Sequence, residues 1–179
     1  QSPQRFIFTS STSVYHQQDG AWVNESSDLQ PENFSGQWVL AGEKCVGNLP
    51  WRGVSVRFGG IYGPERQGIV QSVRGQQARL MPGPPVYTNR IHRDDCVGVL
   101  LHVMNLHNPK PSYVAVDDEP TPYNDVLTWM AKSLALPPPK SGAARRQTNK
   151  RCSNRALKES GYTFVYPTFR EGYTAIIKA

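Results

Sequence analysis

A cluster of hydroxyl groups follows a short apolar segment near the start of the chain. Residues 6–8 are a continuous run of aromatic and β-branched residues, which is typical of a β-strand buried on both faces. Five side-chain hydroxyls follow over residues 9–13, and a phenol follows at Tyr15. Because an unpaired polar group in a core costs about 1–3 kcal/mol, we expect these groups at the carboxyl end of the strand, where open α/β sheets bind their ligands.

Two arginines form a second candidate group. Arg90 and Arg93 lie in a polar segment with Asn89 and His92. An arginine fork can hold a phosphate or a carboxylate through two parallel hydrogen bonds, so either arginine is a candidate contact for an anionic substrate. A surface ion pair accounts for the same residues equally well, and the sequence leaves both interpretations open.

The elements that position the hydroxyl cluster predict a parallel sheet. Apolar residues recur at helical spacing over residues 35–46, and an alternating strand follows over residues 54–58. Strand, helix and strand in this order form a parallel crossover unit. Arg57 points away from the apolar face of the second strand, which favours a contact with a carboxylate. Gly59 and Gly60 predict a sharp turn at the carboxyl end, so that the loops of two strands face one crevice.

Further helices and one more strand complete a predicted α/β fold. Apolar spacing predicts helices over residues 68–73, 97–104, 121–134 and 169–177, a strand over residues 113–116, and a short helix that Ser153 caps and Gly161 ends. Asp94 or Asp95 is a good N-cap for the second of these helices. Residues 22–31 are predicted to form a loop, and residues 140–149 a polar linker.

The composition is that of an ordinary globular protein. Of 179 residues, 38% are hydrophobic and 19% are charged, which suits one domain with a small lobe. No apolar run approaches the roughly 18 residues of a membrane span, so we expect no membrane partner. Three scattered cysteines without metal-ligand spacing predict free thiols in a reducing cytoplasm and no metal site.

The net charge of +6 comes partly from basic residues between positions 140 and 151. A nucleic-acid-binding module would carry interleaved aromatic residues or a recognised motif, and the chain has neither. We therefore expect no nucleic-acid partner. The basic segment is interpreted first as a solvated loop and second as a contact for an anionic ligand.

Four segments, taken in order, resemble a known family. The strand ending in Ser-Ser-Thr-Ser-Val-Tyr is followed by Val-Arg-Phe-Gly-Gly-Ile-Tyr-Gly-Pro, by Asn-Arg-Ile-His-Arg-Asp-Asp, and by Lys-Arg-Cys-Ser-Asn before Gly-Tyr. Together they span nearly the whole chain. They resemble the extended short-chain dehydrogenase/reductases of the NAD-dependent epimerase/dehydratase family, in particular an atypical branch of nucleoside-diphosphate-sugar epimerase homologues.

The resemblance implies a fold, a cofactor and a set of site residues. Residues 1–117 would be the C-terminal half of a Rossmann-like NAD(P)-binding domain with a doubly wound parallel sheet, and residues 118–179 a small α/β substrate-binding lobe. The cofactor would be NAD or NADP. The residues that would contact it are Ser10, Ser11, Gly59, Gly60 and Ile61. The residues that would contact the substrate are Thr12, Asn89, Arg90, His92 and Arg93.

The resemblance also implies roles for individual side chains. Ser11 would be a catalytic residue that orients the substrate, although capping of backbone groups is the alternative. Tyr15 would be the second catalytic residue, and a packed aromatic with its hydroxyl at the surface is an equally good interpretation. His92 is more readily structural than catalytic, and Asp95 is expected to cap a helix. Lys150 and Asn154 would form either a pocket rim or a tether.

Two departures from the family pattern restrict these expectations. The chain contains no glycine-rich phosphate loop, so we expect it to be the carboxyl portion of a longer protein. No tyrosine is followed by a lysine four residues later. If Glu43 is aligned with the glutamate that ends this family motif, the two positions fall on Ser35 and Val39, which cannot do acid–base chemistry at neutral pH. Dehydratase chemistry is disfavoured as well, because Thr12 and Ser13 replace its Asp-Glu pair.

The predicted function is that of an NAD(P)-binding, epimerase-like protein acting on a nucleotide sugar or a similar anionic small molecule. A homologue that binds a dinucleotide without turnover is the alternative, and the missing tyrosine and lysine favour it. A nucleic-acid-binding module rests on net charge alone. Relatives imply a homodimer through the helix around residues 35–46.

Overall fold

The computed structural model describes residues 5–50, 52–142 and 148–178. Its strands are β1 (Arg5–Ser11), β2 (Ala21–Val23), β3 (Arg52–Phe58), β4 (Gly60–Tyr62), β5 (Arg79–Leu80), β6 (Tyr87–Thr88), β7 (Arg90–His92), β8 (Ser112–Ala115), β9 (Thr121–Pro122), β10 (Lys140–Ser141) and β11 (Lys150–Cys152). Its α-helices are α1 (Phe34–Gly47), α2 (Gly68–Arg74), α3 (Arg93–Asn105), α4 (Tyr123–Ser133), α5 (Arg155–Glu159) and α6 (Phe169–Lys178). The α/β class predicted from the sequence is confirmed.

The central sheet is parallel and has the strand order β1-β3-β8. Helix α1 connects β1 to β3 as the predicted crossover. It begins where the Asn33 side chain accepts a hydrogen bond from the Gly36 amide at 2.6 Å, since an asparagine at this position satisfies an otherwise free N–H group. The prediction that β1 is buried on both faces is wrong, because β1 lies at the edge of this sheet and Phe6 is 41% exposed.

Short strand pairs hold segments that the sequence predicted to be turns or loops. Residues 60–62 form β4, which pairs in parallel with β7, instead of a turn. The segment 22–31 begins inside β2, which pairs with β11, and β10 pairs with β5 within the predicted linker. Residues 143–147 of that linker, with the two arginines at 145 and 146, lie outside the described residues.

Two helices present a different face to the core than their apolar spacing suggests. Trp38 on α1 is 65% exposed, and Val97 and Leu101 on α3 are each 54% exposed. Helix α3 is also capped differently from the prediction. His92 is its N-cap, whereas Asp94 and Asp95 lie inside its first turn. Spacing therefore located both helices correctly but did not identify the residues that they bury.

The hydrophobic cores cross the predicted domain boundary at residue 117. One core joins the central sheet and α3 to Leu157 of α5. A second joins Tyr62 and Val70 to Leu127 of α4 and Phe169 of α6. The segment around α2 thus packs with the later helices and not with the sheet. No helix among the described residues is long and apolar enough to cross a membrane.

Candidate functional site

The carboxyl ends of β1 and β3 open toward two cavities that share part of their lining. The smaller, of about 360 Å³, contains Thr12 and Lys150 in its wall. The larger, of about 740 Å³, extends past Arg90 and Tyr62. Gly60, Thr88 and Asn89 line both. The Gly60 amide donates to the Asn89 carbonyl at 2.9 Å, which holds the segment after β3 against the residue before β7. The crevice predicted from the two loops therefore exists.

The predicted hydroxyl cluster divides into buried and open members. Ser10 is 5% exposed and donates to the Glu43 carboxylate, so its hydroxyl is not directed to a cofactor as predicted. The Ser11 hydroxyl accepts from the Ser13 amide at 3.1 Å and caps a short 3-10 helix over Thr12–Val14. Capping of backbone groups was the alternative interpretation of Ser11. That Ser11 orients a substrate stays a prediction. Thr12 lines the smaller cavity.

A fully bonded group of buried side chains lies behind β1, and we call Ser10, Tyr15, Glu43 and Arg57 the Glu43 cluster. Arg57 Nε donates to Glu43 Oε1 at 2.9 Å, and Nη2 donates to Oε2 at 2.7 Å. Side-chain exposure is 5% for Arg57 and 8% for Glu43. The prediction that Arg57 holds a carboxylate is confirmed. Its partner, Glu43, is the residue that we aligned with the glutamate at the end of the family's tyrosine and lysine motif.

The geometry of Tyr15 does not support a catalytic role. Tyr15 is 1% exposed, and its hydroxyl donates to the Asn24 carbonyl at 2.8 Å while accepting from Arg57 Nη1 at 2.8 Å. Burial raises the pKa of this phenol well above its usual value, and the nearby Arg57 guanidinium offsets only part of that effect. Tyr15 is a packed aromatic, as the alternative interpretation held, but its hydroxyl is buried and not at the surface.

A second buried group, which we call the Arg90 cluster, consists of Tyr62, Thr88, Arg90 and Asp117. Arg90 is 4% exposed, and its Nη2 donates to Thr88 Oγ1. Three buried atoms of the cluster have no hydrogen-bond partner within the described chain: Arg90 Nη1, the Tyr62 hydroxyl and Asp117 Oδ2. Natural cores rarely leave such atoms unpaired, and each needs an explanation such as a ligand or a function.

The charges of the Arg90 cluster are not paired with one another. No described carboxylate lies within 4 Å of the Arg90 guanidinium, although Asp117 is close enough to feel it. Burial raises the pKa of Asp117 to about 8, against the opposing influence of Arg90. Asp117 is therefore largely neutral at pH 7, and Arg90 keeps an uncompensated positive charge. The sequence did not single out Tyr62 or Asp117, since nothing local distinguishes them from a turn tyrosine and a solvated aspartate.

The neighbours of Arg90 in sequence are structural. His92 is 2% exposed, accepts from the Asp94 amide at 3.2 Å and stacks near Tyr166. Burial lowers its pKa, which keeps the imidazole neutral, and the predicted substrate contact for His92 is not supported. Arg93 is largely exposed and pairs with Glu65 and Asp94. It forms the surface ion pair that was the alternative to a substrate contact.

Three polar residues hold the later segments against the sheet. The Asp95 carboxylate accepts from Tyr162, Val165 and Tyr166, so it anchors the segment before α6 and does not cap a helix. Asn89 Nδ2 donates to the Lys150 carbonyl at 2.9 Å, and its Oδ1 accepts from the Cys152 amide at 2.7 Å. Asn89 is thus a tether as well as part of the cavity wall.

The sequence left open whether Lys150 and Asn154 form the rim of a pocket or a tether. The structure gives a different answer for each residue. Asn154 Nδ2 donates to the Val116 carbonyl at 3.0 Å and to Asp118, which is a tether. Lys150 is 2% exposed and lines the smaller cavity, and its Nζ donates to the Tyr15 carbonyl at 3.1 Å.

The residues after β3 divide between close packing inside the protein and the wall of the larger cavity. A Cβ on Gly59 would lie 2.8 Å from Val116 Cγ1 and 3.0 Å from the Asn89 carbonyl oxygen, so only glycine allows this packing. Gly60 is exposed and Ile61 is half-buried, and both face the larger cavity. The given sequence contains no glycine-rich phosphate loop, and the cofactor contacts predicted for Gly59, Gly60 and Ile61 stay a prediction.

Comparison with known proteins gives a curated relative and similar solved structures. No family model matches the chain. Protein YeeZ of Escherichia coli K12 is 30% identical over an alignment of 172 residues. The match covers 91% of this chain and 59% of YeeZ. The structure of an NAD-dependent epimerase/dehydratase from Methylobacillus flagellatus has 32% identity and a TM-score of 0.86, and the match covers 98% of this chain and 64% of that one.

A more distant structure extends the comparison. A human epimerase family protein crystallised with NADPH superposes with a TM-score of 0.83 at 16% identity, covering 98% of this chain and 66% of that one. At this identity the match shows the fold alone. The chain spans about three fifths of the length of the curated relative that it matches.

Proposed function

The chain belongs to the NAD-dependent epimerase/dehydratase family of extended short-chain dehydrogenase/reductases, and on that premise we propose that the protein binds NAD or NADP and transforms an anionic small molecule. A nucleotide sugar is the proposed substrate class. When bound, the nicotinamide supplies or accepts a hydride. The chain's own residues bind and orient the substrate in the crevice beyond β1 and β3.

The observation that carries the anionic part of the proposal is the unpaired guanidinium of Arg90. Arg90 is buried, lines the larger cavity, and has a free Nη1 with no described carboxylate beside it. A buried cation is stable only when it is paired or hydrogen-bonded. A phosphate or carboxylate in the cavity beside Arg90 would supply the negative charge that no described carboxylate supplies.

The contacts proposed for the cofactor are fewer than the sequence suggested. Ser11, Gly60 and Ile61 remain available at the carboxyl edge, whereas the Ser10 hydroxyl is bound to Glu43. Support for the dinucleotide comes from the family and from the NADPH of the human relative.

Binding of NADH and NADPH, followed by fluorescence, tests the proposal. The measurement is made on the chain and on the same reading frame extended upstream, because the curated relative is longer. We expect binding by the longer product, and at least tenfold weaker binding in its Gly60→Val variant, whose added side chain would enter the crevice. Gly47→Val is the matched control, since a Cβ there meets nothing within 4 Å. Absence of binding at millimolar dinucleotide would overturn the proposal.

A protein that binds a dinucleotide without turnover is the second candidate. Ser35 and Val39 stand where the family carries its tyrosine and lysine, which favours this candidate directly. A screen of nucleotide sugars for turnover by the longer product separates the two. Turnover that Ser11→Ala abolishes would eliminate the silent homologue, whereas dinucleotide binding without any turnover would establish it.

A further inference from the structure

The site contains a lysine, Lys150, that lies in the Lys-Arg-Cys-Ser-Asn segment and not in the tyrosine and lysine pair of the family. Strand β11 pairs with β2 in parallel, and Lys150 lies opposite Ala21. The Asn89 side chain bonds to the backbone on both sides of Arg151. These contacts fix the Lys150 backbone, and the side chain runs inward to the wall of the smaller cavity. There its Nζ is held by the Tyr15 carbonyl at 3.1 Å.

The charge of Lys150 has no counterion. No described carboxylate lies within 4 Å of its Nζ, and the Tyr15 carbonyl is its one hydrogen-bond acceptor in the described chain. The titratable groups that face it are Tyr15, Tyr87 and Cys152. Burial raises the pKa of Cys152 to about 12 and that of Tyr15 further, so neither carries a negative charge at neutral pH.

Burial lowers the pKa of Lys150 below its usual value, with Cys152 the only opposing influence. An ammonium group has three donors, and one of them is used. Lys150 lines a cavity of about 360 Å³ whose wall also contains Thr12 and Gly60, at the carboxyl edge of the sheet. Desolvation of this kind destabilises the charged ammonium group and so favours release of its proton.

We propose that Lys150 is the proton-transfer residue of this site and replaces the tyrosine and lysine that positions 35 and 39 do not provide. The inference rests on the proposed function for its substrate and hydride. In the reducing direction the substrate carbonyl carbon accepts a hydride from the nicotinamide, and the π pair of the C=O bond moves to oxygen. The Lys150 ammonium gives that oxygen a proton, and solvent returns a proton to the amine. The carbonyl is reduced to an alcohol as the nicotinamide is oxidised.

The titration of Lys150 is measured first, without cofactor or substrate. In protein labelled with ¹³C at lysine Cε, we expect one resonance whose midpoint lies at least one pH unit below those of the other lysines, and which is missing from Lys150→Met. Lys158→Met is the matched control, because Lys158 is half-exposed and paired with Asp118. A Lys150 resonance that titrates with the exposed lysines would overturn the inference.

Turnover kinetics then separate proton transfer from a structural role. We expect kcat to fall by about 10²–10⁴-fold in Lys150→Arg, because the guanidinium keeps the charge but does not titrate. The pH profile of kcat in Lys150→Arg should differ from that of the wild type, whereas KM should stay nearly constant. Lys150→Arg also covers the case in which Lys150→Met does not fold. A kcat within tenfold of wild type in Lys150→Arg would overturn the inference.

The two proposals fail in different ways. If the longer product binds no dinucleotide, the proposed function is overturned whatever the titration of Lys150. If it binds dinucleotide while Lys150 titrates as an ordinary lysine, the lysine assignment alone is overturned.

Discussion

The Glu43 cluster and the Arg90 cluster each contain a buried arginine beside a buried carboxyl group, yet only the first is complete. Arg57 forms a bidentate pair with Glu43 and a further bond to Tyr15. In the Arg90 cluster, Arg90 Nη1, the Tyr62 hydroxyl and Asp117 Oδ2 each lack a hydrogen-bond partner among the described residues. A bonded cluster stabilises a fold, whereas an incomplete one indicates the place of a ligand. The comparison therefore separates the part of the molecule that supports the site from the part that binds.

The largest effect is expected from Arg57→Met. It leaves the Glu43 carboxylate buried without its cation, which costs about 3–5 kcal/mol of unfolding free energy. Urea unfolding measures the change. Arg155→Met is the control, because its pair with Glu159 lies at the surface, where solvent screens the two charges and the pair contributes little to stability. Equal losses in the two variants would contradict the supporting role of the Glu43 cluster.

A pH-dependent effect is expected from Asp117→Asn. The folded-state pKa of Asp117, about 8, lies above its ordinary value of 3.8. The wild type therefore loses stability as the pH rises from about 4 to about 8, because the unfolded chain releases the proton first. Asparagine does not titrate, so the stability of the variant relative to wild type should increase by about 1–3 kcal/mol between pH 5 and pH 8.

Urea unfolding at the two pH values gives this difference, and effects of His92 cancel because both proteins contain it. Asp125→Asn, at an exposed position of α4, should show no such trend. A pH-independent difference for Asp117→Asn would mean that Asp117 is ionised in the folded protein and that the Arg90 cluster is paired after all.

The smallest effect on stability is expected from Arg90→Met. Its charge has no carboxylate to leave behind, so the change should cost less than about 1 kcal/mol. Its effect on ligand binding should be large: we expect inorganic pyrophosphate to raise the thermal unfolding temperature of the wild type and not that of Arg90→Met. Arg93→Met, in the same segment but in a surface ion pair, should keep that rise. A stability loss as large as that of Arg57→Met would remove the distinction between the clusters.

Local chemistry explains which predictions from the sequence were correct. The existence of the helices could be predicted from apolar spacing, and the carboxylate partner of Arg57 could be predicted from strand alternation. The buried faces of α1 and α3 could not be predicted from the sequence, because each helix carries apolar residues on two sides and the sheet covers only one side. The caps of α3 were mistaken since His92, Asp94 and Asp95 can all accept from an amide, and their order along the bend decides between them.

The sequence by itself determined the parallel crossover, the hydroxyl cluster at the end of β1, the family resemblance and the absence of the tyrosine and lysine pair. These depend on residue type and short spacing. Only the tertiary structure decided that Tyr15 is held by Arg57, that Asp95 anchors a distant segment, and that Lys150 and Arg90 enter cavities with a shared wall. Burial and pairing join residues up to 135 positions apart, and no local pattern records such a distance.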